Sequence, residues 1–368
     1  MRLILLTAGG RAGSDFFHSL LDSHSQILQF PGYLRVDKNL KLILETKDLK
    51  RKAELFVKFY PEFFNSKKKK FERWDKLGEK KNKYFKVNHK TFVKNFYNLC
   101  IKNKNKLNNY QCLINFHIAY FITRRKSIKN KKVLFVHTHL LSWTREFINL
   151  FGVEKFDILH TIRHPLSSLS SPVKSWLRFE NGKNFFSKDL FYQIDTVVNC
   201  IYDLSKLGNL NIIRLERLHT KNTMLMKNFC KKFKINYEVS LKKSTKNNLK
   251  WWGDRVSKKY INGINKKFSV KIYEDHFYNR DLIFFQNLTR KIILKYNYNF
   301  YYEKKNILFN LLPMKCEVDV WKNTFKNLFS GGFRWKHLLS IPIFYILRIF
   351  TINNLKQSFR VKNLPEEL

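Results

Sequence analysis

Residues 1–27 read MRLILLTAGGRAGSDFFHSLLDSHSQI. The apolar run Leu3 to Leu6 is followed by a loop of small residues, Ala8 to Ser14, and then by Phe16, Phe17, Leu20 and Leu21 at helical spacing. That order predicts strand, tight turn, helix. A helix that starts after a glycine loop presents unpaired N–H groups and the positive end of its dipole, which suits a phosphate or sulfate. Gly9, Gly10 and Gly13 let backbone approach such an anion closely. Ser14 offers a hydroxyl and Arg11 a guanidinium. The nucleotide-triphosphate loop G-x-x-x-x-G-K-[ST] is absent, because no Lys-Ser or Lys-Thr follows Gly13. That argues against a kinase. Taken alone, the loop also fits an ordinary glycine turn.

Outward from this stretch, three further apolar runs read as buried strands: Val133 to Thr138, Phe156 to Arg163, and Leu210 to Leu215. A shorter one is expected at Ile27 to Phe30. Helical patterns follow them, including one that Pro165 can start and that Pro172 can kink. Short strands alternating with helices predict an α/β fold: a P-loop-like parallel sheet with helices on both faces. Residues 35–130 break the rhythm and read as a helical, lysine-rich insertion or cap over the sheet's carboxyl edge. Residues 1–310 are expected to form the α/β domain, and 311–368 a C-terminal helical appendage.

The 368 residues carry a formal net charge of +43, with lysine outnumbering arginine 53 to 18. The lysines are spread along the whole chain, which argues against a nucleic-acid surface. The runs Lys67 to Lys70 and Lys102 to Lys106 read as solvated faces. The field still favours anionic ligands. Five scattered cysteines without a C-x-x-C fit free thiols in a reducing compartment. No signal peptide and no apolar run of spanning length is apparent, so a cytoplasmic location is expected. The stretch Trp335 to Phe350 has two readings, a helix docked on the core or a peripheral contact on the membrane's cytoplasmic face.

The second chemical motif is FDILHTIRHPLSSLSSPVKSW, residues 156–176. Arg163 ends a strand, and Ser171 follows eight residues later, two turns into the next helix. Such a pair can grip one phosphate from two sides. A helix cap with solvent-facing serines is the plainer alternative.

The two motifs together resemble the sulfotransferase superfamily, whose donor is 3′-phosphoadenosine 5′-phosphosulfate. Arg11-Ala12-Gly13-Ser14-Asp15-Phe16 stands where that family has its 5′-phosphosulfate loop, with His24-Ser25 in place of its His-Pro. Arg163, Pro165 and Ser171 match its 3′-phosphate motif. His137-Thr138-His139-Leu140 is similar to its Lys-Thr-His-Leu, and Leu215-Glu216-Arg217-Leu218 to its Tyr-Glu-Asp-Leu. Ser244 to Ser257 resembles a Trp-Gly-Asp segment of bacterial members. The resemblance spans roughly residues 1–30 and 130–300.

It implies a sulfotransferase that moves a sulfuryl group, in line, to a hydroxyl or amine acceptor: a carbohydrate, a glycolipid or a small alcohol. Arg11 to Phe16, with Arg163 and Ser171, would bind the donor. For the base, His139 at a strand's carboxyl end is preferred, with His137 orienting the acceptor or carrying charge. Two strand-end histidines bonded to backbone are the plainer reading, and Asp37 is the next candidate base. Asp15 departs from the family's hydroxyl residue. No His, Asp or Glu cluster shows metal-ligand spacing, so no metal is expected. The rival to an enzyme is a degenerate member that binds anionic surfaces or nucleic acid without catalysis.

Overall fold

The computed structural model describes residues 1–9, 11–102, 105, 107–152, 156–171, 201, 203–204, 206–207, 209–255, 260–303, 312–315, 317–319, 322, 325, 342–343, 345–347, 349–350 and 364–368. Gly10, Pro172, Cys200, Cys316 and most of the Trp335 to Phe350 stretch lie outside that set.

Five strands form one sheet in the order β2-β3-β1-β4-β5. They are β1 (Arg2–Ala8), β2 (Ile27–Leu28), β3 (Val133–His139), β4 (Asp157–Ile162) and β5 (Asn209–Arg214). Every pairing is parallel. Leu3 to Ala8 are all buried, as is all of β4. Unbroken burial along a strand requires cover on both faces, which the apolar runs anticipated. The chain leaves β1 towards β2, while β4 lies on its other side. The connections therefore part at the carboxyl end of β1, where ligands gather in open α/β sheets.

Helix α1 (Ser14–Leu21) follows β1 and buries Phe16, Phe17, Leu20 and Leu21. The expected second strand is cut to two residues, since Pro31 and Gly32 follow soon after it. The insertion folds as α2 (Lys38–Glu45), α3 (Leu49–Phe59), α4 (Pro61–Phe64), α5 (His89–Lys102) and α6 (Asn109–Thr123). Stacked phenylalanines hold it together. The Phe96 and Phe116 ring centroids are 4.1 Å apart and those of Phe56 and Phe116 4.4 Å. Phe30, just past β2, continues the stack through Phe63 at 4.9 Å. One core thus runs unbroken from the sheet into the insertion.

Helix α7 (Leu141–Phe151) follows β3, a helix α8 starts at 165 after β4, and α9 (Leu215–Thr220) and α10 (Asn222–Phe233) follow β5. A small hairpin, β6 (Thr245–Lys246) and β7 (Leu249–Lys250), packs beside α1. Residues 364–368 cover the outer edge of β5. Ile212 N–H donates to Glu366 O at 3.1 Å, and Leu368 N–H to Ile212 O at 3.0 Å. Glu367 also accepts from Arg214 at 2.8 Å and pairs with Arg217 at 2.9 Å. The edge of β5 is thus covered at Ile212, which blunts its free ladder there. Among the described residues, no helix is long and apolar enough to cross a membrane.

Gly13 sits at the N-cap of α1 with φ +82°, a left-handed conformation. A Cβ there would collide with the Leu215 side chain at the start of α9. Gly13→Ala combines backbone strain with that collision and should lower stability by about 1–3 kcal/mol. Adding Leu215→Ala removes the collision and leaves the strain. The double variant should therefore lose less stability than the two single losses combined. Strict additivity in urea unfolding would refute the contact.

Four buried histidines make the fold acid-sensitive. Burial pushes His117 and His219 down to about 4, and His137 and His160 down to about 3. Their folded values lie below the unfolded value, so the stabilisation is complete above pH 6.5 and is lost as pH falls towards 4 and 3. Each is worth about 2 kcal/mol at pH 5. Four such losses rival the whole stability of a domain. Urea midpoints should drop steeply from pH 7.5 to 5, and His117→Asn should shrink that drop by about 2 kcal/mol. Equal midpoints at the two pH values would contradict this account.

Candidate active site

The loop after β1, the turn after β3 and the start of α8 meet at the carboxyl edge of the sheet. They line a cleft of about 860 Å³. From the first loop, Arg11, Ala12, Gly13, Ser14, Asp15 and Phe16 all reach it. From the other two elements come His139, Arg163 and Ser171. Residues more than 150 positions apart in the chain are thus neighbours, because β1 and β4 are paired strands.

Arg163 leaves β4 and points back to the first loop. Its Nη1 donates to Arg11 O at 3.4 Å, and its Nη2 donates to Ser167 Oγ. Burial pulls the guanidinium pKa below its ordinary value, while Glu216 opposes the shift. Arg11 pairs with Asp254 at 3.0 Å. The Nε–H groups of both arginines are buried without a hydrogen-bond partner. Two unpaired cationic donors beside a helix N-terminus call for an anion.

The serine-rich helix is not a solvent face. Ser167, Ser168 and Ser170 are buried. Ser168 Oγ donates to Gly9 O at 2.8 Å and so fastens the first loop. Ser167 Oγ donates to Lys271 O at 2.6 Å, and Ser170 Oγ accepts from Tyr273 N at 3.2 Å. Only Ser171 of the four lines the cleft. Glu216 opens α9 and accepts the N–H of His164 at 2.8 Å, which fixes the chain directly after Arg163.

A bulge at the end of β3 sets the histidines. Leu6 pairs with His137, but Thr7 pairs with His139, so Thr138 is the extra residue. Its hydroxyl bonds Leu6 O at 3.2 Å and Thr144 Oγ1 at 2.7 Å. His139 takes φ +65°, a strained value for a non-glycine residue, as bulges beside active sites allow. Its ring stacks on Tyr33 with centroids 4.9 Å apart. His137 lies below it, 1% exposed and not on the cleft wall. Asp15 faces His137, with Oδ1 3.8 Å from Nδ1. Burial pushes the Asp15 carboxyl up, yet His137, His139, Lys246 and Lys69 pull harder and hold it below its usual range. Burial chiefly keeps His139 below its ordinary value, so its imidazole is neutral at pH 7. No metal-like spacing was visible in the sequence. In space, Asp15, His137 and His139 bring donor atoms within 4.8 Å of one another.

Several cleft residues escape sequence reasoning. Lys68 to Lys70 line the cleft, although the run looked like a solvated face. Lys69 donates to the Tyr33 hydroxyl at 2.9 Å and pairs with Glu72 at 3.5 Å. Burial, then Asp15, raises Glu72 to about 7. His219 stacks between Phe16 and Phe268, with centroids 4.6 Å away on each side. Beneath them Lys246 is fully buried, 3.2 Å from His18 Nδ1 and over the rings of Trp74 and Trp251. Asp37 caps α2 by accepting from Asn39 N and Leu40 N, and is no cleft residue. His24 is structural, bonded to Asn236 O at 2.8 Å. Arg255 pairs with Asp75 at 3.5 Å rather than lining the cleft.

No protein-family model matches the chain, and no curated protein does. Among solved structures, it is similar to the sulfotransferase domain of the Synechococcus PCC 7002 olefin synthase. The identity is 14% and the TM-score 0.38, over 81% of this chain and 95% of that one. It is also similar to the sulfotransferase domain from the curacin biosynthetic pathway. There the identity is 14% and the TM-score 0.37, over 83% of this chain and 93% of that one.

Proposed function

We propose that the cleft binds 3′-phosphoadenosine 5′-phosphosulfate and that the protein is a sulfotransferase acting on a hydroxyl or amine acceptor. One observation carries this: the unpaired Nε–H groups of Arg11 and Arg163 in one cleft with the N-terminus of α1. The donor has two separated anionic ends. Arg11, Gly13 and Ser14 would take the 5′-phosphosulfate, and Arg163 with Ser171 the 3′-phosphate. The Phe16–His219–Phe268 stack in the wall supplies a surface for adenine.

In the transfer, an acceptor oxygen attacks sulfur as the bond from sulfur to the 5′-phosphate oxygen breaks. Charge grows on that leaving oxygen, where the α1 N–H groups, Ser14 and Arg11 stabilise it. The acceptor proton passes to His139, whose neutral ring can receive it. Asp15 faces the two histidines, so its carboxylate stabilises the imidazolium that results. The chain's own residues supply each of these roles.

Adenosine 3′,5′-bisphosphate, the desulfated donor, gives the direct test. At ~100 times its dissociation constant a ligand adds about 2.7 kcal/mol of stability. The native chain should show that rise in thermal unfolding, and Arg163→Ala and Ser14→Ala should lose most of it. His139→Ala should keep the rise but lose about 100-fold or more in turnover with any acceptor found by screening. No rise at low salt in a well-folded chain would discard the donor site. DNA or vesicle binding unaffected by Arg163→Ala would then favour a non-catalytic protein for anionic surfaces.

A further inference from the structure

We propose that Asp15, His137 and His139 form a binding site for one first-row divalent cation of the zinc type, in the floor of the cleft. Four polar atoms there are buried with no hydrogen-bond partner: Asp15 Oδ1, both ring nitrogens of His137, and His139 Nδ1. Each such atom costs about 1–3 kcal/mol when left unmet. The three residues cluster rather than scatter through the core, with one donor atom from each inside 4.8 Å of the others.

Two neutral imidazoles and a carboxylate form a donor set that suits zinc and its neighbours, with open positions left for water or substrate. The fit is close. Ligands about 2.0–2.1 Å from a tetrahedral ion sit roughly 3.4 Å apart. Asp15 Oδ1 and His137 Nδ1 are already at 3.8 Å.

Carboxylates offset the three cations that act most directly on these residues. Arg11 pairs with Asp254 and Lys69 with Glu72. Lys246 is stabilised by Asp15, Glu72 and Asp22. With Glu72 ionised, these three cations meet four carboxylates, Asp15, Asp22, Glu72 and Asp254.

The site has a consequence for the transfer proposed above. An ion on either ring nitrogen of His139 leaves the ring's proton on the other. The imidazole then cannot accept the acceptor's proton, so the cation should inhibit. That consequence rests on the sulfotransferase reading, whereas the cation site does not.

Cobalt(II) titration of the full chain, free of any polyhistidine tag and followed by visible absorption, tests it. One cobalt per chain is expected, giving ligand-field bands that zinc abolishes. Losing an outer-shell partner typically weakens a metal about 10–100-fold. Asp15→Asn and His139→Ala should each weaken cobalt at least that much while remaining folded. His139→Ala comes first, since His139 is less buried than His137 and is the safer deletion. No stoichiometric binding, or binding unchanged in both variants, would overturn the site. Cobalt binding that persists in a chain indifferent to the bisphosphate would leave this site standing and remove only its link to transfer.

Discussion

The close approach of Gly13 to Leu215 sets the geometry on which the cleft depends. Gly13 turns left-handed to aim the first N–H groups of α1 into the cleft, and it can do so only because it lacks a Cβ. Leu215 begins α9, whose Glu216 holds the chain beside Arg163. Ser168 then ties the helix after Arg163 back to Gly9. The ends of β1, β4 and β5 are thereby locked into one unit. A loop that binds an anion through backbone N–H groups needs that rigidity, because each donor must already point at the ligand.

Two lysines of this region are held by specific partners. A chain of +43 would be expected to fill its cleft with free lysines. Lys68, Lys70, Lys267 and Lys271 do line it, whereas Lys69 is engaged by Tyr33 and Glu72, and Lys246 is shut away between two tryptophans. A buried ammonium is tolerable only where carboxylates and ring faces replace water. Asp15, a carboxylate in the first turn of α1, is one of the groups that stabilise Lys246.

The strands were legible because a sheet buried on both faces must be written as continuous apolar runs. Leu3 to Leu6 and Val133 to Val136 are such runs. β2 was legible in place but not in length: of the expected Ile27 to Phe30, only Ile27–Leu28 pair, with Pro31 and Gly32 close behind. Arg11, Gly13, Ser14, Arg163 and Ser171 were legible because each sits at a fixed offset from a strand end. The remaining cleft residues were hidden for a different reason. His219 and Phe268 reach the cleft only through tertiary packing. Lys69 sits in a run that composition assigns to solvent. The bulge at Thr138 was also invisible, since no glycine marks it, and without it the relation between His137 and His139 could only be guessed as strand alternation.

That bulge explains why two histidines of one strand end differ in role. In a regular strand, positions 137 and 139 would point the same way and be equally buried. The extra residue lets His137 stay in register with Leu6, inside the core, while His139 turns left-handed and comes to the cleft wall. One ring is then walled in beneath the other, with centroids 5.4 Å apart and Asp15 alongside. The cost is backbone strain at His139 and two unmet nitrogens on His137. Strain and unmet polarity at a single point persist in a fold when the surrounding packing fixes them, and they are most often found where a ligand completes the site. Here the loop after β1, the core beneath it and the Tyr33 ring above all press on the same few atoms.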